Sequence, residues 1–290
     1  MNRPAPGSLP DPALVDFGAH PGGPGRRLER LGGILVDRPL PLPGLPAPHD
    51  RDWSAARAVF GGDSKGWVIA APCPTPWQVT IPLGSIPLVL EVRPAPSGQV
   101  GVFIEQVGQW AWLTTVVPAG ARMLSLFAHS GAATLALAAA GAEVVHVDAS
   151  KQAMGLARRN AAASGLDAAP IRWVCEDARG FIARERRRGS RYDGVVLDPP
   201  SWGHGPRGQA FAIDRDLEPL LADLAAVCPP PRRGPVLLTC HAPRWPADRL
   251  RDTLARRLPG LGVESGDLVC HDAAGRPLHL GGFARQPGTG

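Results

Sequence analysis

Three aspartates stand at or just past the ends of three apolar runs: Asp148 closes EVVHVD, Asp177 follows IRWVCE, and Asp198 closes GVVLD. A carboxylate at the carboxyl end of a buried strand can accept hydrogen bonds from a ligand's hydroxyl or amino groups, and open α/β sheets bind their ligands at those ends. Taken singly, each aspartate reads equally well as a helix cap. Asp198 also opens the stretch Asp198-Pro199-Pro200-Ser201-Trp202. Proline cannot donate to a sheet ladder, so strand pairing stops at Pro199, and Asp198 is pushed into an extended shape by the proline behind it. The product is a rigid lip carrying an aromatic side chain that can stack on a planar ring while stiff backbone carbonyls orient the ring's polar edge. One further reactive group lies nearby in the chain, the thiol of Cys240 in VLLTCHAPRW. Ionised it is a nucleophile; buried it is ordinary core.

These residues need strand tips to hold them, and the second half of the chain supplies the pattern. From Arg122 onward, short apolar runs alternate with helical stretches: MLSLF then GAATLALAAAGA, EVVHVD then KQAMGLARRNAAA, IRWVC then DARGFIARERRR. GVVLD follows, then a helix marked by Leu217, Leu220, Leu221, Leu224 and Val227 on one face, then VLLT and a helix with Leu250, Leu254 and Leu258. VESGDLVCHD and LHLGGFA close the chain as two strands around the turn DAAG. Five strand–helix units and a hairpin predict an α/β fold, a doubly wound, mostly parallel seven-stranded sheet with one antiparallel strand. Residues 1–118 differ. Proline recurs in PLPLPGLPAPHD and APCPTPW, and extended runs are expected at Gly33–Val36, Trp67–Ala71, Trp77–Ile81 and Leu88–Val92. The expected organisation is a flexible leader at 1–24, a small β-rich accessory domain at 25–118, and the α/β domain at 119–290.

The first strand–loop–helix, LSLFAHSGAATLALAAAGAEVVHVDAS, invites comparison with dinucleotide-binding units. Its loop AHSGAAT lacks the G-x-G-x-x-G that lets backbone approach a pyrophosphate. Asp148 stands about 20 residues past the turn, where an acid accepts from ribose hydroxyls, and Asp177 can accept from an adenine amino group. An adenosine without a pyrophosphate fits this combination, and S-adenosylmethionine is the common one.

From about Gly98 to Phe283 the chain resembles class I S-adenosylmethionine-dependent methyltransferases, which are Rossmann-like, and within them the bacterial group similar to 23S ribosomal RNA cytosine-C5 methyltransferases. The residues that carry the resemblance are GQVGVFIEQVGQW, LSLFAHSGAATLALAAAGAEVVHVDASK, NAAASGL, WVCEDARGF and LDPPSWGHG, in that order and spacing. It implies Ser130 and Gly131 beside the methionine part of the cofactor, Asp148 and Ala149 at the ribose, and Asp177 and Ala178 at the adenine. Phe103 and Gln106 would close over it, and Asp198 would form a wall of the cleft. Asp198, Pro199, Pro200 and Trp202 would face the methyl acceptor, an RNA base. His204 and Arg207 follow in a glycine-rich loop.

The chain departs from that group in two places. The related RNA enzymes carry their nucleophilic cysteine in a Ser-Cys-Ser stretch after the fifth strand; here Cys240 comes about two positions early, without flanking serines and with His241 beside it. VFIEQVGQW also lacks the arginine expected after its acid–glutamine pair. A small-molecule methyltransferase, a non-catalytic RNA-binding relative and a nicotinamide-dependent oxidoreductase are the alternatives, the last opposed by the missing glycines.

Composition narrows the setting. Lys+Arg 31 against Asp+Glu 26 gives +5, nearly all of the positive charge being arginine, which permits a polyanionic partner without requiring one. The arginine runs at 183–191 and 243–257 lie on expected helices, where they line a solvated face or touch phosphate. Five scattered cysteines, never spaced CxxC, suggest neither a disulfide framework nor a metal site. No secretory signal stands at the start, and no uncharged apolar run reaches the ~20 residues of a membrane span. A cytoplasmic protein is expected.

Overall fold

The computed structural model describes residues 11, 13–20, 23–49, 53–62, 64–84, 86–204, 210–260 and 262–290. The chain forms two compact units, and neither is contiguous. One comprises Met1–Pro82, Val89–Val107 and Val269–His279; the other comprises Leu83–Leu88, Gly108–Leu268 and Leu280–Gly290.

The first unit is β-rich. Its five-stranded sheet runs in the order β1 (Ala13–Gly18), β2 (Arg26–Leu31), β3 (Ile34–Pro39), β4 (Ala58–Phe60), β5 (Trp67–Ile69), and β6 (Trp77–Ile81) pairs separately with β7 (Leu88–Val92). Strand β1 lies inside the stretch expected to be a flexible leader. Its pairing with β2, from Ala13↔Arg30 to Gly18↔Arg26, corrects that expectation for 13–18; residues 1–10, 12, 21 and 22 lie outside the described residues. The RRLERL and AVF runs of β2 and β4 were hidden by charge and brevity. Arg38 and Glu29, both buried, satisfy each other across β3 and β2, so neither reads as a core residue by hydrophobicity.

The second unit begins earlier than expected, with α1 (Val107–Val116) inside the stretch 25–118. Then come β8 (Arg122–Leu126), α2 (Ala132–Ala139), β9 (Glu143–Asp148), α3 (Lys151–Ala163), β10 (Ile171–Cys175), α4 (Ala178–Arg187) and β11 (Gly194–Leu197). A short hairpin follows, β12 (Trp202–His204) and β13 (Ala210–Ala212), and then α5 (Ile213–Val227), β14 (Val236–Cys240), α6 (Ala247–Arg257), β15 (Glu264–His271) and β16 (Pro277–Gln286).

The seven-stranded sheet has the order β10-β9-β8-β11-β14-β16-β15. The pairs β10–β9, β9–β8, β8–β11 and β11–β14 are parallel, and β16 is antiparallel to β14. Alternate residues along the central strands pack on opposite faces. Leu124, Leu126, Val145, Val147, Val195, Leu197, Val236 and Leu238 join one core with Phe181, Leu217, Leu221 and Leu254. Met123, Val144, Val196 and Leu237 join another with Leu113 and Leu137. A sheet covered on both faces needs such unbroken apolar strands, and the order reverses between β8 and β11, where open sheets leave a crevice.

Candidate active site

Register brings the three carboxylates to one edge. Leu126 pairs with both Val147 and Leu197, so Phe127, Asp148 and Asp198 each follow a paired residue at the same level; Cys175, two residues before Asp177, pairs with Asp148. The crevice between β8 and β11 is thus rimmed by the loop after β8, the tips of β9 and β10, and the lip after β11.

The loop after β8 is a tight cradle. Phe127, His129 and Gly131 have φ of 53°, 44° and 85°, a conformation disfavoured for side chains larger than glycine and concentrated at functional sites. Three clamps hold it. Asp148 Oδ2 accepts from the His129 amide at 2.8 Å, Asn160 Nδ2 donates to the Ser130 carbonyl at 2.8 Å, and the Gly131 amide donates to the Ala128 carbonyl at 2.8 Å. A Cβ on Gly131 would stand 2.9 Å from the Ala157 Cβ, so α3 packs directly on the loop. Beneath it His146 is fully buried, its Nδ1 2.9 Å from Thr134 Oγ1 and its ring 4.8 Å from that of Trp173. Burial, reinforced by the neighbouring His129 and Arg158, pushes its pKa down to about 3 and keeps it neutral.

Asp148 and Asp177 each have capacity left for a ligand. Asp148 Oδ1 takes the Ser150 amide at 2.8 Å and Oδ2 takes His129, which leaves a second lone pair on each oxygen. Asp177 caps α4, its Oδ1 accepting from the Gly180 amide at 3.0 Å with Arg179 Nε 3.6 Å away. Cap and ligand acceptor are compatible, because one carboxylate offers about four acceptor positions. Two such acceptors at adjacent strand tips match the hydroxyl and amino donors of an adenosine, and Ala149 and Ala178 directly follow them with little bulk.

The lip is more ordered than a loop. After Asp198, Pro199 is buried and Pro200 exposed, and Trp202 enters β12, paired with Ala212 of β13. Trp202 is 58% exposed. Phe211 of β13 meets Phe127 with ring centroids 5.0 Å apart. Arg179 on α4 donates to the Ala210 carbonyl at 3.2 Å and lies 3.1 Å from Asp216, so the hairpin is tied to the strand tips. The backbone of His204 lies in β12, and Arg207 falls outside the described residues.

Asp198 is itself fixed. Thr239 Oγ1 donates to its Oδ1 at 2.7 Å, and His241 Nε2 stands 3.8 Å from its Oδ2. His241 Nδ1 is 2.7 Å from the Leu280 carbonyl on β16. Sequence reasoning placed His241 only as a neighbour of Cys240, and gave no role to Thr239, Asn160 or His129. The polar ends of two otherwise apolar strands, VLLTCH and LFAHS, were the available signal.

Cys240 takes the second of its two readings, ordinary core. The candidate nucleophile is 0% exposed in the core of β14. Burial pushes its thiol up to about 11, the Ala242 amide at 3.3 Å opposing this in part and Asp198 and Asp214 adding to it. It is a neutral packing group. Phe103 and Gln106, expected to close over the cofactor, belong to the first unit, where Gln106 is buried at the end of a short 3-10 helix (Ile104–Gln106). Ser130 is 4% exposed, and its carbonyl takes the Asn160 amide.

An open α/β sheet with acceptors at its strand tips and no diphosphate loop defines a nucleoside-binding protein of the doubly wound class. The model of the S-adenosylmethionine-dependent methyltransferase family matches residues 88–267, and the chain belongs to that family. A solved structure, the SAM-dependent methyltransferase from Agrobacterium tumefaciens, is 35% identical, with a TM-score of 0.84 over 96% of this chain and 91% of that one. Another, from Streptococcus mutans, is 17% identical with a TM-score of 0.61 over 76% of this chain and 57% of that one, and shows the fold alone. Among curated proteins, the ribosomal RNA large subunit methyltransferase I of Aeromonas hydrophila is 28% identical over 155 residues, 53% of this chain. The match spans 38% of that relative's own length. No helix among the described residues is long and apolar enough to cross a membrane.

Proposed function

We propose that this methyltransferase acts on a base in RNA, with ribosomal RNA the first candidate, in the cytoplasm. The observation that carries the reading is Trp202, left 58% exposed on a proline-stiffened hairpin beside Asp198. An exposed tryptophan at the mouth of a crevice is a stacking platform for an unstacked base. The names of the curated relatives point to the same substrate class.

In this reading Asp148 holds the ribose and Asp177 the adenine, Ala149 and Ala178 keep room beside them, and the 127–131 loop turns its backbone toward the methionine part, with Ser130 and Gly131 in that loop. S-adenosylmethionine supplies an electrophilic methyl group. The chain supplies alignment, which is worth up to about 7–11 kcal/mol when the reacting atoms are held in line. Asp198, Pro199 and Pro200 orient the acceptor and Trp202 stacks on it. The core position of Cys240 argues against a thiolate adding to a cytosine ring.

The test is transfer of a tritiated methyl group to ribosomal RNA purified from cells lacking the gene. Label in RNA, absent when the RNA comes from cells that carry the gene, supports the reading. Label found only in a small-metabolite fraction overturns it.

A further inference from the structure

Most arginines in the runs 183–191 and 243–257 are spent on acids or lie away from the strand tips. Arg184 and Arg186 on α4 pair with Glu176 and Asp223, and Arg256 and Arg257 at the end of α6 share Glu218. Arg187 ends α4, at the edge of the sheet where β11 begins. Arg244 and Arg249 differ in both respects. Arg244 lies in the loop that leaves the tip of β14, and Arg249 lies in the first turn of α6. Trp245, 2% exposed, pins that loop by donating from Nε1 to Asp214 Oδ1 at 2.8 Å. Asp214 stands at the start of α5, two residues past Ala212, which pairs with Trp202. Two residues of chain and one strand spacing keep the Asp214 Cα within about 13 Å of the Trp202 Cα.

The donors of this arginine pair are largely unspent. Arg249 lies over the Trp245 ring, its Cζ 3.8 Å from the centroid, and donates from Nη1 to the Arg244 carbonyl at 2.8 Å. Its Nη2 stands 3.7 Å from Asp214 Oδ1, and Arg244 Nη1 stands 3.8 Å from Asp214 Oδ2. Both gaps exceed hydrogen-bond length. Asp248, the other acid of this turn, spends an oxygen on the Arg249 amide at 2.7 Å. The Arg244 side chain is 82% exposed, and a guanidinium offers five donors. Two guanidinium groups that share one loosely held carboxylate, on the rim that carries an exposed tryptophan, suit the paired oxygens of a phosphodiester.

We propose that Arg244 and Arg249 bind a backbone phosphate of the strand whose base stacks on Trp202. The inference rests on the RNA-base reading above. One or two nucleotides of an extended strand span the distance from the ring to the arginine pair. The contact carries no base information; it fixes register along the strand, and so decides which base comes to rest at the lip. Trp245 and Asp214 serve as its frame, holding the loop after β14 against the start of α5. A substrate without a phosphodiester beside its ring gains nothing from this pair.

The test uses the full chain and ribosomal RNA from cells lacking the gene, with kcat and KM for methyl transfer measured from about 50 to 200 mM potassium chloride. Arg244→Gln should raise KM for the RNA about tenfold, and should flatten the fall of log(kcat/KM) against log salt by about 0.7, the share of one phosphate contact on a single strand. Its kcat and its calorimetric affinity for S-adenosylhomocysteine should stay within about twofold of wild type. Arg244→Lys, which keeps the charge, should keep the wild-type slope, and so should Arg187→Gln at the far edge of the sheet. Adding Arg249→Gln should flatten the slope by about as much again. Arg244 makes no side-chain hydrogen bond among the described residues, so its single variants carry the result if the double variant fails to fold. A wild-type KM and slope in Arg244→Gln overturn the proposal and leave the RNA reading intact. Equal flattening in Arg187→Gln, or in Arg244→Lys, overturns it too, the first showing a bulk charge effect and the second a structural one. If wild-type protein labels only a small-metabolite fraction, the RNA reading falls and takes this inference with it.

Discussion

At the scale of single residues, the site divides into acceptors that wait for a ligand and groups already spent on the fold. Asp148 does both, holding the His129 and Ser150 amides while keeping lone pairs for ribose. Asp148→Ala should weaken S-adenosylhomocysteine binding at least about tenfold, the loss expected when a charged hydrogen-bond acceptor is removed; calorimetry reads it directly. Trp202 touches only the acceptor in this scheme. Trp202→Ala should raise KM for RNA by about tenfold or more, given ~1–3 kcal/mol per base–aromatic stack, and leave S-adenosylhomocysteine affinity unchanged. Cys240 lies in the core, so Cys240→Ala should keep the transfer rate within about twofold, and a complete loss of transfer with normal folding would restore it as nucleophile.

At the scale of elements, the loop after β8 depends on the helix beneath it. Gly131 combines a φ of 85° with an approach that leaves 2.9 Å for any Cβ against Ala157. Gly131→Ala should therefore cost about 1–2 kcal/mol through its backbone alone, plus the clash, and be seen as a lowered Tm. Adding Ala157→Gly should recover only the clash. This also marks where reading the sequence succeeds. Strands such as EVVHVD and helices such as KQAMGLARRNAAA carry their own periodicity, so β9 and α3 were legible to the residue. The short β4, the charged β2 and the β12–β13 hairpin were not, because their partners, distant in sequence or across a glycine-rich loop, stabilise them more than their own composition does. Helix α1, nearly evenly apolar around its circumference, gave no amphipathic stripe to find. The carboxylates at the strand tips were legible through spacing. The His241–Asp198 pairing was not, because it depends on where β16 delivers the Leu280 carbonyl.

At the scale of the whole molecule, acid should expose a weakness in the core. The folded pKa of His146 is lowered from 6.5 to about 3, so below pH 6.5 the unfolded chain binds a proton that the folded chain refuses. Stability is then full above pH 6.5 and falls as pH drops toward 3, by up to about 1.4 kcal/mol per pH unit from this residue. Urea unfolding between pH 7 and 4 should show this slope in wild type and a shallower one in His146→Asn; parallel slopes would refute it. The closing hairpin bears on how such a gene can change. The chain leaves the second unit after Leu268, contributes Val269–His279 to the first, and returns at Leu280. No single recombination crossover can exchange one unit for another while leaving its companion complete, and a premature stop codon at any position up to residue 279 takes material from both. The two halves are inherited as one object, and their divergence must proceed by substitution within them.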